Sequence, residues 1–135
     1  LASAPTCFAA VHEAITNGFI LSCHDLSEGG LAVTLAEMAF AGGFGVEASL
    51  AELGPLDPWV ALFSESCTRF VVEVPRARED QFADLIERRT GRAPIRLGRV
   101  TEEDRLIVSN GRGLSVIDES IGELKAYWQR PLDWK

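Results

Sequence analysis

Hydrophobic residues recur at helical spacing in several stretches of the chain. Apolar positions in residues 5–17 fall on one face of a helix, and Gly18 follows where a C-cap is expected. Residues 29–41 are rich in Ala, Leu and Met and end at two glycines, and residues 78–90 again have one apolar side. The pattern predicts three helices over these ranges and a fourth over residues 120–129.

Short β-branched and apolar runs bounded by polar turns predict strands. The strongest covers residues 69–74, ends at Pro75 and is expected to be buried. Segment 59–63 is compatible with a helix or a strand. Helices and strands mix without strict alternation, which favours an α+β fold: a single layered domain over 1–135, with helices packed on a mixed sheet of about four or more strands. The remaining strands are predicted at 19–23, 45–50, 95–101, 105–109 and 114–117.

Composition excludes several classes of protein. The 135 residues include 47% hydrophobic residues and carry a net charge of −7, a composition too apolar for a disordered chain and too acidic for a typical nucleic-acid binder. No apolar run approaches the ~20 residues that span a bilayer. Three widely spaced cysteines, with Cys7 and Cys23 in apolar runs, indicate packed thiols in a reducing, cytoplasmic setting. The missing initiator Met leads us to expect a fragment of a longer chain.

The first candidate site is a polar, glycine-rich turn between a predicted strand and a helix. A helix start presents unpaired backbone N–H groups that favour a phosphate or carboxylate, and glycine lets such a ligand approach the main chain. The alternative is a capped helix start with no ligand, and the residues alone favour neither interpretation. The candidate residues are His24, Asp25, Ser27, Glu28, Gly29 and Gly30.

The second candidate site precedes the predicted strand at 69–74. Two hydroxyls, a carboxylate and a guanidinium, from Ser64, Glu65, Ser66 and Arg69, crowd into one turn. They could contact a ligand or another domain, or form a serine-rich turn with a local Glu65–Arg69 pair, which the residues alone favour. No residues are assigned to a metal, although the acidic turn at 102–104 could hold one.

Two stretches together resemble one family. His24-Asp25-Leu26-Ser27-Glu28-Gly29-Gly30-Leu31-Ala32 and Leu62-Phe63-Ser64-Glu65-Ser66, the latter followed by Arg69-Phe70-Val71-Val72-Glu73-Val74, are similar to the C-terminal domain of the phosphoribosylformylglycinamidine synthase large (synthetase) subunit. That domain belongs to the aminoimidazole ribonucleotide synthetase-like superfamily. The closing Leu124-x-x-x-Trp128-x-x-Pro131-Leu132 pattern also fits. One departure is Cys67-Thr68, where the family usually has Pro-Gly, so this turn is expected to be built differently.

The resemblance implies an ATP-dependent C–N ligase of purine biosynthesis. Such an enzyme activates the formamide oxygen of formylglycinamide ribonucleotide with ATP, and glutamine-derived ammonia then displaces phosphate to give the amidine. The expected partners are this nucleotide, an N-terminal ATP-binding domain of the same chain and a glutaminase domain or subunit, with no nucleic acid and no membrane. ATP and Mg²⁺ serve the full-length enzyme. This chain alone is expected to bind neither, to contain no catalytic residue and to be inactive.

The resemblance also implies roles for residues. Ser27, Gly29 and Gly30 are expected to seat the substrate's 5′-phosphate, with His24, Asp25 and Glu28 as further substrate-binding residues. Ser64, Glu65, Ser66 and Arg69 are candidates for ligand or interdomain contact. The alternatives are another ATP-dependent kinase or synthetase of the same superfamily, or a non-catalytic small-molecule-binding module.

Overall fold

The computed structural model describes residues 4–132 and contains five α-helices and six β-strands in this part of the chain. Its described residues fall into two compact units. The first unit combines the residues up to Leu26 with Ser66–Ile95, and the second combines Ser27–Glu65 with the residues from Arg96 onward. The helices are α1 Ala4–Thr16, α2 Gly30–Gly42, α3 Pro58–Phe63, α4 Glu79–Thr90 and α5 Ile121–Gln129. The strands are β1 Ser22–Asp25, β2 Gly45–Ser49, β3 Phe70–Glu73, β4 Gly98–Thr101, β5 Leu106–Ser109 and β6 Ser115–Glu119.

The first unit packs α1 and α4 with an antiparallel pair of strands, β1 and β3. Its core centres on Ala14, Phe82 and Leu85, against which half-buried apolar side chains of β3 and neighbouring segments pack. Glu13 of α1 and Arg89 of α4 form an ion pair across the two helices, with Nη2 and Oε2 separated by 2.7 Å. The guanidinium of Arg89 lowers the pKa of the Glu13 carboxyl, chiefly through a side-chain hydrogen bond.

The second unit contains a four-stranded mixed sheet in the order β4-β2-β5-β6. The β2–β5 pair is parallel, and the other two pairs are antiparallel. Side chains that alternate along β2 and β5, namely Ala48, Leu106 and Val108, point to the buried side of this sheet. The second unit also buries apolar side chains of three helices: Leu31, Leu35 and Ala39 of α2, Leu62 of α3 and Ile121 of α5.

The α+β class and the mixed four-stranded sheet confirm the prediction from the pattern of residues. The prediction that the helices at 5–17 and 78–90 pack on this sheet was wrong, because α1 and α4 pack with a separate ladder of β1 and β3. The strand at 69–74 is half-buried rather than buried, since a two-stranded ladder is not enclosed by further strands. Segment 59–63 lies in a helix. Between residues 4 and 132, no helix has the length and hydropathy needed to cross a membrane.

The first predicted strand is displaced along the chain. Residues 19–23 were expected to form it, but Phe19 and Ile20 pack on the core directly after α1, and β1 begins at Ser22. The strand extends through His24 and Asp25 because β3 supplies a partner for each of its residues. Two side chains that the sequence assigned to a glycine-rich turn therefore lie in a strand.

Candidate substrate-binding site

The glycine-rich turn leads into α2 through two residues with left-handed backbone. Gly29 is the N-cap of the helix, with φ 79° and ψ 2°, and Gly30 follows with φ 61°. The N–H of Gly30 donates to the carbonyl of Ser27 over 3.1 Å, which closes the turn. Residues with a side chain rarely adopt a positive φ, and two in succession are rarer still. This entry into the helix therefore requires glycine.

A carboxylate from a distant segment binds the start of α2. The backbone N–H of Gly29 donates to Oε1 of Glu65 over 2.9 Å, although the two residues are 36 positions apart. Both residues belong to the second unit. The sequence placed Gly29 and Glu65 in two separate candidate sites, and the structure brings these members of the two sites together.

The lack of a side chain at Gly30 has an explanation within the fold. A Cβ at this position would lie 2.8 Å from the carbonyl oxygens of Leu62 and Ser64 and 3.0 Å from the carbonyl carbon of Phe63. The backbone at the end of α3 therefore approaches the start of α2 too closely for any residue other than glycine. This contact does not require a ligand.

His24 and Asp25 belong to the first unit, at the end of β1. His24 pairs in register with Val71, and Asp25 pairs with Phe70. The Nδ1–H of His24 donates to the carbonyl oxygen of Asp25 over 2.7 Å, since a carbonyl can only accept. In the neutral ring the lone pair then resides on Nε2, which is the nitrogen able to act as a base.

The second candidate turn spans the end of α3 and the approach to β3. Ser64 is the C-cap of α3, and its N–H donates to the carbonyl of Val60 over 3.1 Å. In the first unit, Nε of Arg69 donates to the carbonyl of Ser66 over 3.2 Å. The backbone of Arg69 also accepts the N–H of Leu26, which extends the ladder between β1 and β3.

The turn before β3 contains a residue with a positive φ, Thr68. Its φ is 67°, and among the residues from 4 to 132 it is the one non-glycine with a positive φ. A β-branched residue in this region is strained, because Cβ crowds the backbone. The expectation that this turn is built differently from that of the family stays a prediction.

The chain segments that form the start of α2 and its contact with α3 carry carboxylates and no Lys or Arg. The sequence contains no Lys or Arg before Arg69. Segment 27–65 of the second unit contributes Glu28 and Glu65 at the turn and no cation. The N–H groups of Gly29 and Gly30 donate within the protein, whereas the carboxylate of Glu28 and the hydroxyl of Ser27 are exposed. Exposed groups of these two types suit a ligand that bears hydroxyl groups.

The predicted packed thiols differ in their surroundings. Cys23 is exposed rather than packed, because β1 has one sheet partner, whereas Cys7 is partly covered. Burial raises the pKa of both thiols, and the nearby carboxylate of Asp25 raises that of Cys23 further. A raised pKa keeps a cysteine in its protonated, weakly nucleophilic form, so neither thiol has the character of a catalytic cysteine.

Two other features fall outside the predicted site residues. A shallow depression of about 470 Å³ on the four-stranded sheet is lined by Glu47, Ser49, Arg99 and neighbouring residues. Its carboxylate and guanidinium are already paired, with Nε of Arg99 2.8 Å from Oε2 of Glu47. Within the described range, no three His, Cys, Asp or Glu side chains lie close enough to hold a metal ion.

The sequence was compared with known protein families. The model of the family "AIR synthase related protein, C-terminal domain" matches residues 1–110. The chain belongs to this family. The match covers β1, the turn into α2 and the segment 64–69, so every candidate residue named from the sequence lies within it.

Relatives with curated names include several phosphoribosylformylglycinamidine synthase subunits PurL. The chain is 40% identical over 114 residues to the subunit of Thermoplasma acidophilum, which covers 84% of this chain and 14% of the relative. It is 40% identical over 118 residues to that of Carboxydothermus hydrogenoformans, covering 87% of this chain and 16% of the relative. The chain therefore spans about one-seventh of the length of these relatives.

Solved structures show the same fold. Thermotoga maritima PurL complexed with FGAR superposes with a TM-score of 0.78 at 23% identity, covering 88% of this chain and 20% of that protein. The hydrogenase maturation protein HypE in complex with ATP superposes with a TM-score of 0.69 at 17% identity, covering 83% of this chain and 39% of that protein. At these identities the likeness shows a shared fold and no more.

Proposed function

We propose that this chain is the C-terminal domain of a phosphoribosylformylglycinamidine synthase. The complete enzyme would convert formylglycinamide ribonucleotide, glutamine-derived ammonia and ATP to formylglycinamidine ribonucleotide, ADP and phosphate. The observation that carries the proposal is the 40% identity to PurL over 114 residues, 84% of this chain. The likeness to HypE, at 17% identity, gives no comparable support for a different activity.

The rest of the enzyme is proposed to lie outside this chain. The matched segment makes up 14% of the Thermoplasma acidophilum relative, which leaves room for an N-terminal ATP-binding domain in the same polypeptide. ATP and Mg²⁺ are assigned to that domain because the family resemblance implies it, and one solved relative is described as PurL complexed with ATP. The full-length protein, which is this chain joined to that proposed domain, is proposed to act in the cytoplasm.

Further partners are proposed from the solved relatives. One Thermotoga maritima structure is described as PurLQS and another as PurL complexed with ATP. They support a glutaminase domain or subunit as the source of ammonia and ATP as the activating nucleotide. In this scheme the chain itself contributes substrate-binding groups and no catalytic residue.

The substrate's 5′-phosphate is proposed to bind at Ser27, Gly29 and Gly30. The positive end of the helix dipole at the start of α2 favours an anion. The N–H groups of Gly29 and Gly30 donate to Glu65 and Ser27, so these glycines are proposed to admit the phosphate to the main chain rather than to donate to it. The exposed hydroxyl of Ser27 adds a donor beside them. His24, Asp25 and Glu28 are proposed as further substrate-binding residues.

Calorimetric titration of formylglycinamide ribonucleotide into the full-length protein tests this assignment. Ser27→Ala removes one hydrogen bond to a charged group, so we expect affinity to fall about tenfold. Glu103→Ala, in an exposed turn, is the control and should bind like wild type. Unchanged affinity in Ser27→Ala would remove Ser27 from the site, and absence of binding by the wild type would refute the proposed function.

A further inference from the structure

Helix α2 differs from α3 and α5 in how its start is capped. Asp57 accepts the N–H of Trp59 at the start of α3, and Ser120 accepts the N–H of Glu123 at the start of α5. Both caps come from the residue directly before the helix. The N-cap of α2 is Gly29, which has no side chain, and the first turn of α2 contains no acidic residue.

Glu65 supplies a part that the local sequence of α2 lacks. In a capping box, the third helical residue is Glu or Gln, and its side chain accepts the N–H of the N-cap residue. The third residue of α2 is Ala32, which has no acceptor. Glu65 accepts the N–H of Gly29 instead, over 2.9 Å. The carboxylate thus supplies one of the two hydrogen bonds of a capping box from outside the helix, and Gly29 has no side chain to make the other.

A second contact joins the same two segments. Gly30 fits directly against the backbone of Leu62 and Ser64, with no space for a Cβ. Glu65 therefore directly follows a segment, residues 62–64, whose main chain contacts the start of α2. The close backbone approach and the hydrogen bond of Glu65 constrain neighbouring residues, Gly30 and Gly29.

From this geometry we propose that Glu65 is a positioning residue for the substrate-binding turn. Its carboxylate orients the amide of Gly29 and holds the turn at 27–30 against the end of α3. The role in substrate binding rests on the proposed function, whereas the structural link does not. Glu65 thereby changes from a candidate ligand to a residue that acts through Gly29.

Two variants in the full-length protein test the link itself. Glu65→Ala removes the acceptor, and Glu65→Gln keeps a side-chain oxygen of the same reach. Rapid hydrogen–deuterium exchange of the peptide covering residues 27–35 should be about tenfold faster in Glu65→Ala and close to wild type in Glu65→Gln. Glu103→Ala is the control. Unchanged exchange in Glu65→Ala overturns the proposal.

Steady-state kinetics of the same variants tests the effect on the substrate. For Glu65→Ala we expect KM for formylglycinamide ribonucleotide to rise at least threefold, with kcat changed less, and Glu65→Gln to restore most of the loss. Faster exchange with unchanged KM would show a structural cap only and would overturn the positioning role. A wild-type protein that forms no amidine refutes the proposed function, while the exchange measurement still decides the link.

Discussion

The indole N–H of Trp128 donates to Oε1 of Glu37 over 2.8 Å and thereby ties α5 to α2. The ring of Trp128 also lies 5.6 Å from that of Phe40, with an angle of 51° between their planes. Trp128 belongs to the closing motif that resembles the family, and the structure gives this motif a physical role. It anchors the C-terminal helix to the helix whose start forms the candidate site.

Two substitutions of Trp128 should distinguish the contribution of its hydrogen bond to Glu37 from that of its ring contact with Phe40. Trp128→Phe keeps an aromatic ring near Phe40 but loses the hydrogen bond, so we expect the free energy of unfolding to fall by about 1 kcal/mol. Trp128→Ala loses both contacts and should cost more. Chemical denaturation measures both effects, with Tyr127→Phe as a matched control at an exposed position. A Trp128→Phe protein as stable as wild type would show that the indole hydrogen bond contributes nothing.

Substituting glycine for Thr68 should stabilise the protein. Thr68 has φ 67°, a conformation that costs a β-branched residue energy and that glycine adopts freely. The added entropy of glycine in the unfolded chain offsets part of the gain, which leaves about 0.5–1 kcal/mol. Thermal and chemical denaturation of Thr68→Gly should show this increase in the free energy of unfolding. A decrease would mean that the contacts of the threonine side chain stabilise the turn by more than its backbone strain destabilises it.

Alanine substitutions at Gly30 and Gly43 distinguish backbone strain from close packing. Both glycines have positive φ, but a Cβ at Gly43 meets no atom within 4 Å, whereas one at Gly30 overlaps the backbone of residues 62–64. We expect Gly43→Ala to cost about 1 kcal/mol and Gly30→Ala about 2–4 kcal/mol in unfolding free energy. Equal losses would contradict the close approach of α3 to the start of α2.

The Glu13–Arg89 ion pair should make stability depend on pH in a defined direction. The pair lowers the pKa of Glu13 in the folded protein below its ordinary value of 4.5. Its contribution is therefore present above that value and is lost as pH falls through the lowered pKa. Glu13→Gln should have a lower Tm than the wild type at pH 7 and low salt. This difference in Tm should become smaller in acid and in about 1 M salt. A difference from wild type that is independent of pH would exclude this ion pair as its cause, and Glu103→Gln is the control.

Local patterns in the sequence predicted most elements correctly. Apolar periodicity located α1, α2 and α4, because each buries one side of a helix within a few turns of chain. Pairing between distant segments was not predictable in the same way. His24 and Asp25 extend β1 only because β3 runs beside them, some 46 positions later in the chain. A polar sequence of this kind carries no periodic signal for a strand.

The same limit applies to the candidate site. The sequence identified the glycine turn and the Ser64-Glu65-Ser66 turn separately, each from its own residues. The hydrogen bond between Gly29 and Glu65 spans 36 positions, and no local pattern encodes it. The one available signal was Ala32, which leaves the capping box of α2 without its acceptor. The binding roles of Ser27, Gly29 and Gly30 remain predictions.

The most direct test of the proposed function is the reaction itself. We expect the full-length protein, given formylglycinamide ribonucleotide, ATP, Mg²⁺ and glutamine with its glutaminase, to form one amidine product for each ADP and phosphate released. The 135-residue chain alone should form none. Folded full-length protein that binds ATP and yields no amidine would contradict the account, as would turnover by the isolated chain that disappears on substitution of His24.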